Sequence, residues 1–144
     1  MFHHADLEIK SRENQGVVIL DLHGKIEMGK GDVALREYVE DLLEKGNRQL
    51  ILDLARVSDI DTAGAEVLVT LAAQYKALGG KLVLLKVDKV HAQVYEIARL
   101  ETVMELCPDE VEAVNTFFPE RARAHYDILE YVEEQPHEKH DSKE

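Results

Sequence analysis

At 144 residues, with 45% apolar residues and a net charge of −12, the sequence describes one globular domain with a short appendage; the charge excludes non-specific nucleic-acid and anionic-membrane binders, which need basic surface. A single cysteine, Cys107, rules out an intrachain disulfide and fits a reducing compartment. Met1 to Asp6 lack the basic-then-apolar pattern of a signal peptide, and no apolar run approaches the roughly 20 residues that span a bilayer, which predicts a soluble cytoplasmic protein.

Leu7 to Ser11 alternates with period two and predicts an edge or half-buried strand. Turn residues Glu13 to Gly16 lead into a β-branched strand over Val17 to Leu22, so the two predict an antiparallel hairpin. The loop Met28-Gly29-Lys30-Gly31-Asp32 is rich in glycine but is not G-x-x-x-x-G-K-[ST], because Lys30 precedes the second glycine and no Ser or Thr follows. It reads as a flexible turn with Asp32 capping the next helix. That helix, Val33 to Lys45, turns Leu35, Tyr38, Val39, Leu42 and Leu43 inward and places Gly46 at a left-handed C-terminal position.

Leu50 to Leu54 is an apolar run broken by one acid, as in a strand covered on both faces. Ala55 to Asp59 reads as a short loop. Asp61-Thr62-Ala63-Gly64 then opens a helix over Thr62 to Leu78, with Leu68, Leu71, Tyr75 and Leu78 at helical spacing and Gly79-Gly80 closing it. Lys81 to Val87 predicts another buried strand, and Asp88 to Arg99 a helix with Val90, Val94 and Ile97 on one face. Thr102 to Leu106 predicts a short last strand. Pro108 and Asp109 start a helix to Phe117 and Phe118, with Val111 and Val114 completing its apolar face. Beyond Pro119, Glu120 to Val132 has a helical pattern, and Glu133 to Glu144 reads as a charged, frayed tail.

The order β-β-α-β-α-β-α-β-α predicts an α/β fold with a mixed, mostly parallel sheet, right-handed crossovers and helices packed on it, plus an extra C-terminal helix. The domain is expected over residues 1–118, with an extension over 119–144.

No catalytic constellation assembles. There is no G-x-S-x-G and no H-E-x-x-H, Cys107 sits beside a proline, and nothing selects two of the many carboxylates as an acid/base pair. The prediction is a non-enzyme with no cofactor and no metal. His137 and His140, three apart, fall in the charged tail and read as solvated. What remains is Asp61-Thr62. A hydroxyl at a helix N-terminus caps the helix for about 1 kcal/mol, helps bind an anion, or accepts a phosphate whose charge the helix dipole tolerates. From chemistry alone, capping is the ordinary reading.

The element order resembles that of the STAS domain family, named for sulfate transporters and anti-sigma factor antagonists. So do Gly24-Lys25-Ile26-Glu27, Asp61-Thr62-Ala63-Gly64, Gly79-Gly80-Lys81-Leu82 and Leu100-Glu101-Thr102-Val103, and the resemblance covers Leu7 to Phe118. It implies an anti-sigma factor antagonist in a partner-switching pathway. The antagonist binds an anti-sigma factor that is also a serine/threonine kinase, loses binding when the residue after the aspartate, here Thr62, is phosphorylated, and is reset by a phosphatase. The acceptor is Thr instead of the commoner Ser, Ala63 leaves Thr62 as the only hydroxyl in the turn, and Glu27 stands where Asp is frequent.

The expected partner-binding residues are Asp59, Asp61, Thr62, Ala63, Gly64, Glu66, Thr70 and Ala73, with Ala77 extending the face. Ala63 and Gly64 are expected to let a partner backbone approach. Direct nucleic-acid binding and membrane insertion are not expected, and a homodimer stays open. An unphosphorylated STAS scaffold subunit, for example of a lipid-transport ABC complex, is the alternative; a nucleotide sensor using Gly29 to Gly31 is the weaker third reading.

Overall fold

Where apolar residues recur at every second position the chain extends, and where they recur at three and four it coils. The computed structural model describes residues 2–4, 6–87, 90 and 92–121. The order is β1 (Phe2–His4), β2 (Leu7–Asn14), β3 (Val17–Ile26), α1 (Asp32–Glu44), β4 (Gln49–Ile60), α2 (Thr62–Ala77), β5 (Lys81–Leu85), α3 (Val94–Glu101), β6 (Glu105–Cys107) and α4 (Glu110–Asn115). The strands form one six-stranded sheet in sequence order. β1 to β3 pair antiparallel and β3 to β6 pair parallel, which is the mixed, mostly parallel α/β sheet expected. β1 adds three residues to that order, too few to carry a readable period.

Register builds the core. Leu20, Leu52, Leu84 and Leu106 stand side by side across β3, β4, β5 and β6. With Leu7, Ile9, Leu22, Leu50, Leu54 and Leu82 they join Leu35, Val39 and Leu43 of α1 and Leu68, Leu71 and Tyr75 of α2 in one cluster. Ile19, Ile51 and Val83, one position along and therefore on the other face, are also fully buried. The central strands are covered on both faces, as their apolar runs predict.

Several boundaries differ. The expected loop Ala55 to Asp59 is strand, because β3 also runs on, to Ile26. Two register shifts, between Asp21 and His23 and between Gly24 and Lys25, let β3 keep pairing with β4 as far as Ile26 opposite Ile60. Gly24 makes this work: its φ is +130°, and a Cβ there would sit 2.2 Å from the carbonyl oxygen of Asp6, which accepts the Lys25 N–H at 3.0 Å. Leu78 is exposed, not inward. Thr102 to Met104 turn where strand was expected, since the Val103 and Met104 N–H groups still bond back to Leu100 of α3. α3 begins at Val94, later than expected; positions 88, 89 and 91 of the expected helix lie outside the described residues. α4 ends at Asn115, and its inward residues are Ala113 and Val114, while Val111 is 71% exposed. The expected helix 120–132 lies outside the described residues from position 122, as do His137 and His140.

The chain divides into two compact units, Met1–Val114 and Asn115–Glu144. In the second, the Arg121 guanidinium lies 4.0 Å from the Phe118 ring centroid and Nη1 donates to Asn115 Oδ1 at 3.1 Å. Among the described residues, no helix is long and apolar enough to cross a membrane.

The acid inside the central strand, Asp53, stands in register beside Asp21 of β3. Two like charges side by side are costly, and Arg12 offsets them. Its guanidinium reaches Asp21 at 2.8 Å, Asp53 at 3.5 Å and Glu110 of α4 at 2.9 Å. Arg12 and then Asn14 pull the Glu110 carboxyl down from 4.5 to about 2. A depressed carboxyl stabilises the fold above its unfolded value and loses that contribution as pH falls toward its folded one. Stability is therefore expected to drop by about 1–2 kcal/mol between pH 4.5 and pH 2 through Glu110, with its 27% side-chain exposure discounting the full shift. Urea unfolding across that range should show a shallower acid limb for Glu110→Gln; an unchanged limb would refute the assignment.

Candidate functional site

β4 ends on buried Ile60, and the next residue turns the chain into α2. Asp61 has extended backbone (φ −97°, ψ −172°) and is the N-cap: its Oδ1 accepts the Gly64 N–H at 2.8 Å. The capping role expected of Thr62 thus belongs to Asp61, and Thr62 is the first residue of the helix. The physical reason is reach, because a carboxylate at the cap position meets the third helical N–H directly while the next hydroxyl has already turned sideways. The other oxygen, Oδ2, accepts the Met28 N–H at 3.1 Å, so one carboxylate ties the loop after β3 to the start of α2. Asp61→Ala is expected to cost about 1–2 kcal/mol in urea unfolding, and Asp61→Asn less, since Asn also caps well and loses only the Met28 bond. Equal losses would show that the cap contributes nothing.

The glycines around this turn are used inward. Gly64 is buried, and a Cβ there would lie 1.8 Å from the carbonyl oxygen of Ile26. The space beside Gly64 is thus taken by β3 of the same chain. Gly31, at φ +109°, is the N-cap of α1, so Asp32 is not that cap. Asp32 Oδ1 instead accepts the Gly29 N–H at 3.0 Å, and the Lys30 N–H donates to the Glu27 carbonyl at 2.7 Å. Those amides are spent within the loop and an acid faces them, which is the opposite of a phosphate cradle.

Thr62 is exposed, and its Oγ1 donates to Glu96 Oε2 of α3 at 3.0 Å. Glu96 is 2% exposed and also meets Arg99 Nη1 at 3.4 Å. Arg99 bonds Glu66 through Nη2, and that bond chiefly pushes the guanidinium above its ordinary value, with Glu96 adding to it. From this corner Glu66, Thr70, Ala73 and Ala77 run exposed along α2. Ala63 and Asp61 are half-buried, and Asp59, opposite Lys25 in register, lies 4.0 Å from its ammonium. Met28, 73% exposed, adds an apolar side chain on the loop tied to Asp61.

Sequence reasoning missed Glu96, Arg99 and Met28. Glu96 stands 34 positions from Thr62 and next to apolar Ile97, so no local pattern points to it. Cys107 is buried, and burial followed by the charges of Glu112 and Glu105 pushes its thiol up to about 11, away from a nucleophilic thiolate at neutral pH. Among the described residues, no three His, Cys, Asp or Glu side chains are grouped to hold a metal ion.

Comparison with known proteins places this geometry. BtrV of Bordetella bronchiseptica, assigned as an anti-sigma factor antagonist, is 26% identical over 102 residues, covering 71% of this chain and 87% of BtrV. A Thermotoga maritima protein described as an anti-sigma factor antagonist superposes with a TM-score of 0.64 at 22% identity, covering 75% of this chain and 92% of that one. The phosphorylated form of the Bacillus cell-fate determinant SpoIIAA superposes at 0.54 with 17% identity, covering 76% and 99%. The STAS domain family model matches residues 8–113, from β2 into α4 and across the whole site, and the chain belongs to that family.

Proposed function

We propose that the protein is an anti-sigma factor antagonist that docks an anti-sigma factor, itself a serine/threonine kinase, on the first turns of α2, and that phosphorylation of Thr62 ends the interaction. The observation that carries this reading is the division of labour in the turn. Asp61 does the capping, so Thr62 is left as an exposed hydroxyl at the head of an exposed small-to-polar helix face. The names of the relatives support the same class, and the Bacillus determinant has a phosphorylated form. On this reading the chain is a binding protein and not an enzyme. It works in the cytoplasm, and a phosphatase restores it.

Docking uses Asp59, Asp61, Ala63, Glu66, Thr70 and Ala73 around Thr62, with Met28 at the edge. Gly64 contributes by letting α2 sit on β3. The assignment of residues 1–118 as the domain and 119–144 as an extension belongs to the same proposal.

The cognate kinase with ATP is expected to add a single phosphate. Trypsin cleavage after Arg56 and Lys76 yields one peptide holding Ser58, Thr62 and Thr70, and its fragment spectrum assigns the phosphate. The expected site is Thr62. A phosphate on Ser58 or Thr70, or an unchanged yield from Thr62→Ala, would overturn the assignment.

A further inference from the structure

We infer that the Thr62–Glu96 hydrogen bond is a latch holding α3 against α2, and that a phosphate on Thr62 releases α3 in addition to blocking the docking face. The inference rests on the proposed reading of Thr62 as the modified residue. It begins from the burial of Glu96, which is 2% exposed. A carboxylate taken out of water persists only where donors replace its hydration. Among the described residues Glu96 has two: the Thr62 hydroxyl at 3.0 Å and the Arg99 guanidinium at 3.4 Å. The second is long and already bonded to Glu66. The Thr62 hydroxyl is the shorter donor and the one that α2 supplies directly.

Phosphorylation removes that donor. Oγ1 becomes an ester oxygen without a proton, and it carries a group of about −1.5 to −2 charge and three acceptor oxygens to within bonding distance of the Glu96 carboxylate. The carboxylate then has a like charge where it had a hydrogen bond. Turning Thr62 outward relieves the repulsion but leaves buried Glu96, among the described residues, with only the longer Arg99 bond. Arg99, which contacts both Glu96 and Glu66, is a strong donor available to the phosphate, and bidentate guanidinium–phosphate pairing is among the strongest available. A two-pronged pairing with the phosphate draws the guanidinium away from Glu96, whose bond to Nη1 is already long at 3.4 Å.

The low-energy way out is for Glu96 to reach water, which means that the first turns of α3 lift away from α2. α3 is eight residues long, too short to hold helical structure without packing. Its release also changes the Glu66–Arg99 corner that borders the docking face. The unphosphorylated hydroxyl therefore does two things: it adds no charge to the α2 surface, and it keeps α3 seated.

Hydrogen–deuterium exchange of the full chain without any partner tests this. Thr62→Glu, which replaces the donor by a carboxylate, is expected to speed exchange of the α3 amides from Glu96 to Glu101 about tenfold or more, leaving α1 and β3 unchanged. Adding Glu96→Gln, whose amide can donate to the new carboxylate, is expected to restore most of the α3 protection. Unchanged α3 exchange in Thr62→Glu, or a loss that Glu96→Gln does not reverse, would overturn the latch. The two readings separate cleanly. Kinase binding lost with α3 protection intact leaves the switch and removes the latch, whereas α3 released with kinase binding intact does the reverse.

Discussion

Gly64→Ala is expected to cost about 3 kcal/mol or more of folding stability, a large share of a typical total of roughly 5–15 kcal/mol. The added Cβ would lie 1.8 Å from the Ile26 carbonyl oxygen and 2.8 Å from its carbon. Both sides of that contact are backbone, so no side chain can rotate away. Ile26 closes β3 and pairs with Ile60, the last residue of β4. Gly64 is held from the other side by the Asp61 cap. Relief requires α2 to lift from β3, which opens the packing of Ala65 and Leu68 behind it. Gly29→Ala is the control: its φ is +72° and nothing lies within 4 Å of where the methyl group would stand, so only the left-handed conformation is penalised, by about 1 kcal/mol. Urea unfolding of both variants should separate them by about 2 kcal/mol or more. Equal costs would mean that α2 does not press on β3 as the geometry requires.

On the proposed reading, Thr62→Glu is expected to weaken binding to an anti-sigma kinase by about 100-fold or more, close to 3 kcal/mol, while Thr62→Ala stays within a few-fold of wild type. The asymmetry follows from what each side chain brings. Alanine removes a hydroxyl whose bond is to Glu96 of the same chain. Glutamate adds a charge to a corner that already holds Asp59, Asp61 and Glu66, on a protein of net charge −12. Binding would bury that charge in an already acidic corner, so repulsion and desolvation add. Salt should recover only part of the loss, because screening acts on exposed charges and not on the desolvation cost of a buried one. Titration calorimetry at two ionic strengths measures both effects. Two variants that bind like wild type would remove Thr62 from the switch.

Much of this architecture is legible locally. The alternation in β2, the β-branched run of β3 and the helical spacing of α1 and α2 each follow from where apolar side chains must point to reach one core. The departures from that local pattern lie at element ends. Ala55 to Asp59 contains Arg56, Ser58 and Asp59 and reads as loop, yet Val57 and Ile60 are buried and β3 bulges to keep pace with them. A bulge is a property of two strands together, so neither strand displays it alone.

The site divides in the same way. The run Asp61-Thr62-Ala63-Gly64 by itself determined where α2 begins, that a hydroxyl stands at its head and that no second hydroxyl competes within the turn. Only the tertiary structure decided what each residue of the run does. Asp61 has two oxygens and reaches two amides 36 positions apart in the chain, Met28 and Gly64. Gly64 faces the Ile26 carbonyl, and Thr62 meets Glu96. Helix starts are set by short-range hydrogen bonding and side-chain chemistry, which travel with the local sequence. The partners of these side chains come from β3 and α3, which only folding brings together.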